Sequence, residues 1–173
     1  MPITPLHMGP ALLGKAALDR RFSLIAFGMA QILMDIEPLL GLLLHWPRLH
    51  GLSHTLLMAI PIGLLAAWLG KVLSPLLLAR WRTELRAWKL GWLEDPLPSR
   101  AALVWGGLLG TFSHLLLDAL MHGDMTPLWP FSMTNSLMGL LGYGAVEWLS
   151  LGAGVLGGGL WVWRRYRVRR QLP

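Results

Sequence analysis

The chain alternates long uncharged apolar runs with short clusters of arginine and lysine. A helix that spans the hydrocarbon core of a bilayer needs roughly 20 mostly apolar residues. Four runs have about that length, and a fifth is shorter and contains Lys15. In order, the runs cover residues 4–18, 22–44, 52–73, 101–121 and 137–163. The pattern therefore predicts an all-α fold, a polytopic membrane bundle of about four to five transmembrane helices.

Composition supports an integral membrane protein. The 173 residues are 54% hydrophobic and only 14% charged, whereas soluble domains carry about 25% charged residues. We find no internal repeat and no boundary, so we expect a single integral-membrane domain over residues 1–173. The chain has no cysteine, so any metal site must use histidine, aspartate and glutamate.

The basic residues predict how the chain is oriented. They cluster at residues 15–21, at 80–100 and in the tail 164–173, whereas the two other connections carry almost none. The positive-inside rule places the three clusters in the cytoplasm, with the N-terminus outside and the C-terminus cytoplasmic, in a bacterial-type inner membrane. Residues 80–100 are expected to form a basic amphipathic helix on the inner surface. Because the net charge of +6 comes from these clusters, we expect membrane lipids rather than nucleic acid as partners.

The first apolar run is short for a crossing. Residues 4–18 either cross the membrane or lie at its surface as an interfacial helix. A crossing is favoured because it brings His7 to the outer end of the bundle, where the other candidate ligands are expected.

Two carboxylates inside the second apolar run point to function. Ionisable residues in spanning segments are costly and suggest a functional site, and Asp35 and Glu37 both lie in residues 22–44. Side chains two apart on a regular helix point about 200° apart. Pro38 disfavours helix at Glu37, so a break there would let both carboxylates reach one site. The alternative is a pair of buried salt bridges, for which the neighbouring outer half-segments offer no cation.

The histidines complete a candidate metal site. His50 and His54 are four residues apart, as are His114 and Asp118, and this spacing predicts that each pair shares one helix face. The predicted ligands are His7, Asp35, Glu37, His50, His54, His114 and Asp118. Imidazole and carboxylate ligands without thiolate favour zinc or manganese. Because seven groups exceed the four-ligand shell of one zinc ion, the set could hold two ions. Glu37 or His122 is the candidate general acid or base.

These motifs together resemble the YdjM-like family of inner-membrane proteins, which are described as metal-dependent hydrolases. The family carries an N-terminal His, an Asp-x-Asp/Glu motif, a His-Arg-Gly-x-Thr-His-Ser motif and a late Ser-His-x-x-x-Asp followed by a Pro-Phe segment. The matching segments are Leu6-His7-Met8-Gly9, Asp35-Ile36-Glu37-Pro38, His50-Gly51-Leu52-Ser53-His54-Thr55, Ser113-His114-Leu115-Leu116-Leu117-Asp118 and Pro130-Phe131. A more distant likeness is to zinc-dependent phospholipase C, which also has an N-terminal His, an Asp pair and a late His-x-x-x-Asp.

One position departs from the family pattern. Aligning Gly51 and His54 puts His50 where the family has Arg, so His50 either is a ligand with a shifted geometry or is not a ligand. The resemblance implies hydrolysis, and we expect a phosphoester or other ester of a lipid-like substrate. The alternatives are a non-catalytic metal-binding protein or transporter, and a protein whose polar groups only hold helices together.

Overall fold

A computed structural model describes residues 5–171, and within that range it contains α-helices and short 3₁₀ turns but no β-strand. The helices are α1 (Gly9–Leu18), α2 (Leu24–Leu43), α3 (Leu56–Ala87), α4 (Arg100–Met121) and α5 (Tyr143–Arg170). The 3₁₀ turns are Pro5–Met8, Asp19–Arg21, Leu52–His54 and Gly91–Leu93. Helices α2 to α5 are each long and apolar enough to cross a membrane. The predicted all-α membrane bundle is thereby confirmed.

Hydroxyl side chains set where three of these helices begin. Ser23, Thr55 and Ser99 precede α2, α3 and α4, and each side-chain oxygen accepts a hydrogen bond from a backbone N–H in the first turn. Such caps satisfy N–H groups that have no partner inside the helix. Because Thr55 caps α3, the third helix starts at Leu56 rather than at residue 52.

Small residues allow the central helices to approach closely. A Cβ added at Gly107 of α4 would overlap the carbonyl oxygen of Gly63 in α3, and one added at Gly110 would meet Phe27 and Ala30 in α2. Small residues at helix interfaces are typical of membrane bundles, because they let backbones pack directly. Helices α2, α3 and α4 therefore form the packed centre that carries the polar site.

Helix α1 lies along α5 and runs parallel to it. Gly9 contacts the backbone of Ser150, Gly157 contacts that of Leu13, and the Asp19 carboxylate accepts a hydrogen bond from Arg165. With ten residues, α1 rises about 15 Å, about half of a hydrocarbon core. It is not among the four helices long enough to span. The packing of α1 on α5 nevertheless fixes the position of the 3₁₀ turn Pro5–Met8, which precedes α1 and contains His7.

The basic connection differs from its predicted form. Helix α3 continues through Ala87 despite Pro61 and Pro75, and residues 94–99 are not helical. Arg80, Arg82 and Arg86 therefore lie on the end of α3, Lys89 lies in the stretch after it and Arg100 begins α4. The basic residues do not form a separate amphipathic helix.

The close contact of α1 and α5 predicts a steric effect of a single methyl group. We expect Gly157→Ala to lower the thermal unfolding temperature in mild detergent, because its Cβ would overlap the backbone of Leu12 and Leu13 and overpacking costs about 1–3 kcal/mol. Gly159→Ala is the matched control, since a Cβ there has nothing within 4 Å. Equal unfolding temperatures for the two variants would contradict this packing.

Candidate metal centre

The carboxylate of Asp118, on α4, lies at the centre of a histidine cluster. Five of the six histidines in the chain direct Nε2 toward it. The Nε2 distances to the nearest Asp118 carboxylate oxygen are 3.1 Å for His114, 3.3 Å for His54, 3.6 Å for His7, 3.9 Å for His122 and 4.0 Å for His50. The Asp118 side chain is only 4% exposed. Three separate parts of the chain, at residues 7, 50–54 and 114–122, thus deliver imidazole nitrogens to one buried carboxylate.

Hydrogen bonds at Nδ1 fix the orientation of His114. Its Nδ1 lies 2.8 Å from Gln31 Oε1, while Gln31 Nε2 donates to the Gly110 carbonyl at 2.9 Å. Because the amide nitrogen is used as the donor, Oε1 can only accept, and Nδ1 of His114 must carry the hydrogen. In neutral His114, Nε2 then presents a lone pair toward the Asp118 carboxylate.

His50 is oriented by a carboxylate in the same way. Its Nδ1 lies 2.9 Å from Asp124 Oδ1, and the other oxygen of Asp124 accepts hydrogen bonds from the backbone N–H groups of Leu49 and His50. Arg48 in turn donates to the Asp124 carbonyl at 2.7 Å and to Thr126 Oγ1 at 2.9 Å. A carboxylate on the far nitrogen is a common support for a metal-binding histidine. This geometry favours a ligand role for His50.

Several buried atoms in the cluster have no hydrogen-bond partner. Within the described part of the chain they are both ring nitrogens of His7, Nε2 of His54, Nε2 of His114 and Oδ1 of Asp118. Burial lowers the pKa of His7 to about 4, so its imidazole is neutral at pH 7, the form that binds metal. Unsatisfied buried polar atoms are costly. A cation among these lone pairs would remove that cost.

The two carboxylates of α2 both reach the cluster, but not by the predicted route. Helix α2 continues past Pro38 to Leu43, so the expected break is wrong. Asp35 Oδ1 lies 3.5 Å from His114 Nε2. Glu37 instead accepts from the backbone N–H groups of Leu52 and Ser53 at 3.0 and 2.8 Å, and from the Ser53 hydroxyl. Glu37 reaches the cluster because the connection after α2 passes beside it, which leaves 3.9 Å between Glu37 Oε2 and His54 Nδ1, and not because α2 unwinds.

The predicted helical pairing of His50 and His54 is also wrong. His54 ends the 3₁₀ turn Leu52–His54, and His50 precedes that turn in an irregular stretch. The two rings still meet edge to face with centroids 4.9 Å apart. The pair His114 and Asp118 does lie on one face of α4, with 3.1 Å between Nε2 and Oδ2.

Within residues 5–171, three sets of side chains could each hold a metal ion, since the ligand atoms of each set lie within 4.8 Å of one another. The sets are His7, His114 and Asp118; His50, His54 and Asp118; and His50, His122 and Asp124. Asp118 belongs to both of the fully buried sets. His122 also stacks on His50 with ring centroids 4.2 Å apart.

The chain matches the model of the YdjM inner membrane protein family over residues 7–170. The chain belongs to the YdjM inner membrane protein family. The matched range includes every residue of the cluster. Neither a curated protein nor a solved structure shows significant similarity to the chain. Membership confirms the resemblance and the location in a membrane.

The role of Asp124 can be measured through His50. We expect Asp124→Asn to weaken zinc binding by about 10–100-fold, because a support to a metal-binding histidine typically contributes that much. His50→Ala should weaken it at least as much. The measurement is metal titration of folded protein in mild detergent.

His45→Asn is the control for this series. His45 is exposed and has a φ of 55°, which asparagine tolerates well. Unchanged zinc affinity in Asp124→Asn, or an equal loss in His45→Asn, would contradict the orientation inferred for His50.

Proposed function

We propose that this protein is a membrane-embedded metal-dependent hydrolase that acts on a phosphoester or other ester of a lipid-like substrate. The observation that supports this most is the convergence of imidazole Nε2 atoms on the buried Asp118 carboxylate. Lone pairs of neutral imidazoles repel a carboxylate, and a divalent cation between them turns that repulsion into coordination. The membrane location of the cluster favours a substrate that is itself a lipid.

We further propose two ions that share Asp118. One would be bound by His7, His114 and Asp118, and the other by His50, His54 and Asp118, with Asp35 available to the first through its proximity to His114. Imidazole and carboxylate ligands without thiolate suit zinc or manganese. Divalent ions in such a site would activate water and neutralise negative charge that develops on the ester.

The contacts of the residues around the ligands suggest which side chain acts as the general acid or base. Glu37 already accepts hydrogen bonds from Leu52 and Ser53, so we assign it to positioning Ser53 and His54. His122 is partly exposed, at 18% of its side chain, and its Nε2 lies 3.9 Å from Asp118. We therefore propose His122 as the general base or acid at the open side of the cluster.

We also propose that this end of the bundle faces away from the cytoplasm. The connection of residues 122–142 contains one charged residue, Asp124, whereas the opposite end carries the arginine clusters. Because the chain has no native thiol, labelling of Ser136→Cys by a membrane-impermeant reagent would check this directly. Labelling that occurs only after the membrane is made permeable would show that this end of the bundle faces the cytoplasm.

Metal content and lipid hydrolysis test the function together. We expect purified protein to carry about two zinc or manganese ions per chain and to hydrolyse at least one of three probes. The probes are a lipid phosphomonoester, a lipid phosphodiester and a lipid carboxyl ester. Asp118→Ala should lose both metal and activity. His122→Gln should keep the metal and lose about 10²–10⁴-fold in rate, the usual contribution of a general acid or base.

The outcomes separate the candidate functions. Wild-type protein without metal after reconstitution would contradict the whole proposal. Bound metal with no turnover of any probe would favour the non-catalytic metal-binding protein or transporter. His45→Asn is the control and should match wild type in both measurements, because His45 lies outside the cluster and is exposed.

A further inference from the structure

A second candidate binding site lies at the opposite end of the bundle from the histidine cluster. A groove of about 340 Å³ runs between α1, the start of α2 and the part of α3 around Leu77. Most of its lining is apolar and includes Leu24, Ile25 and Leu78, and its charged residues are Lys15, Arg20 and Asp95. The Ser23 N–H donates to the Ala102 carbonyl in the first turn of α4. From Ala102 to Asp118, α4 rises about 24 Å.

The depth of the groove fits a membrane interface. Helix α3 begins at Leu56 beside the cluster, and Leu77 lies about 32 Å further along it. That distance is close to the roughly 30 Å thickness of the hydrocarbon core. Trp81 and Trp161 line the groove at this level, and tryptophan is enriched where hydrocarbon meets lipid headgroups. The lining of leucine and isoleucine therefore faces acyl chains, while its charged end lies among headgroups.

The acidic group in the groove is already neutralised. Asp95 pairs with the buried Lys15 at 2.6 Å and with Arg165 at 2.5 Å. Arg165 also binds Asp19 at 2.7 Å, and Trp161 Nε1 lies 3.3 Å from the same Asp19 oxygen. This network holds α1, α5 and the stretch before α4 together. It leaves no acidic side chain in the lining available to another cation.

Arg20 supplies positive charge that no residue in the described part of the chain neutralises. It lines the groove, is exposed, and forms neither an ion pair nor a side-chain hydrogen bond with any residue in the range 5–171. The neighbouring Arg21 is also exposed and also lacks such a partner in that range, but it lies outside the groove. An apolar groove with an unpaired guanidinium at its rim is complementary to a lipid with acyl chains and a negatively charged phosphate.

We propose that this groove is a binding site for an anionic phospholipid, with an acyl chain along Leu24, Ile25 and Leu78 and the phosphate at Arg20. It is separate from the histidine cluster and does not depend on the hydrolase proposal. The bound lipid would fill the space between α1 and α3 that this groove leaves.

Lipid affinity measured by native mass spectrometry tests the proposal. Delipidated protein in mild detergent is titrated with phosphatidylglycerol or phosphatidylcholine that carry the same acyl chains. We expect wild type to prefer phosphatidylglycerol, and Arg20→Gln to reduce that preference about fivefold, the factor for one arginine at an anionic membrane surface. Lys89→Gln is the matched control, since it removes one exposed positive charge outside the groove, and it should leave the preference unchanged.

A second variant tests the apolar part of the groove. Leu78→Trp should weaken binding of both lipids, because the larger side chain occupies the space of the acyl chain. Equal affinity of wild type for the two lipids, or equal effects of Arg20→Gln and Lys89→Gln, would overturn the proposal. A change of oligomeric state in Leu78→Trp without loss of lipid would assign the groove to contact with a second copy of the chain.

Discussion

A buried carboxylate surrounded by imidazole nitrogens is the constraint on which the rest of this structure depends. Asp118 is 4% exposed, and the nearest Nε2 atoms are 3.1 and 3.3 Å from it. In a medium of low dielectric constant, an unpaired carboxylate is far more costly than in water. One protonated histidine could offset the charge of Asp118, but it would leave the buried ring nitrogens of the other histidines, such as those of His7 and His114, without partners. Divalent cations satisfy the carboxylate and the lone pairs at once.

The irregular turns and connections of the bundle meet around the Asp118 carboxylate. Helix α4 contributes His114 and Asp118 from regular backbone, whereas His7, His50, His54 and His122 come from turns and connections. Those connections are held by specific bonds: Glu37 binds Leu52 and Ser53, and Asp124 binds His50. At the far end, the ion pairs of Lys15 and Arg165 fix α1 against α5. The contacts at the cluster and the ion pairs at the opposite end of the bundle therefore both determine the position of His7.

The sequence was most informative where the chemistry follows a helical repeat. The apolar runs located the four long helices, and the spacing of His114 and Asp118 predicted a shared helix face. It misled at His50 and His54, because a spacing of four residues carries no such meaning outside a helix. The predicted break of α2 at Pro38 was wrong because a proline within a tightly packed helix need not end it.

The supporting residues were harder to find from the sequence. Gln31 orients His114, and its only signal was that it is polar and lies four residues before Asp35 on the same face of α2. Asp124 is not among the predicted ligands, and its role was hidden because its partner, His50, is far away in sequence and is brought close by the fold of two connections. Arg48 gave no signal at all. Hydrogen bonds between distant connections have no periodicity that a single sequence can reveal.

X-ray absorption spectroscopy at the metal edge would test the central claim most directly. For protein loaded with zinc, the account predicts nitrogen and oxygen neighbours at about 2.0–2.2 Å, with the outer-shell scattering that several imidazole rings produce. Replacing Asp118 by alanine should abolish that signal. A zinc ion with only oxygen neighbours, or with the same imidazole signal after Asp118 is replaced, would show that the metal is not held by the histidines that converge on this carboxylate.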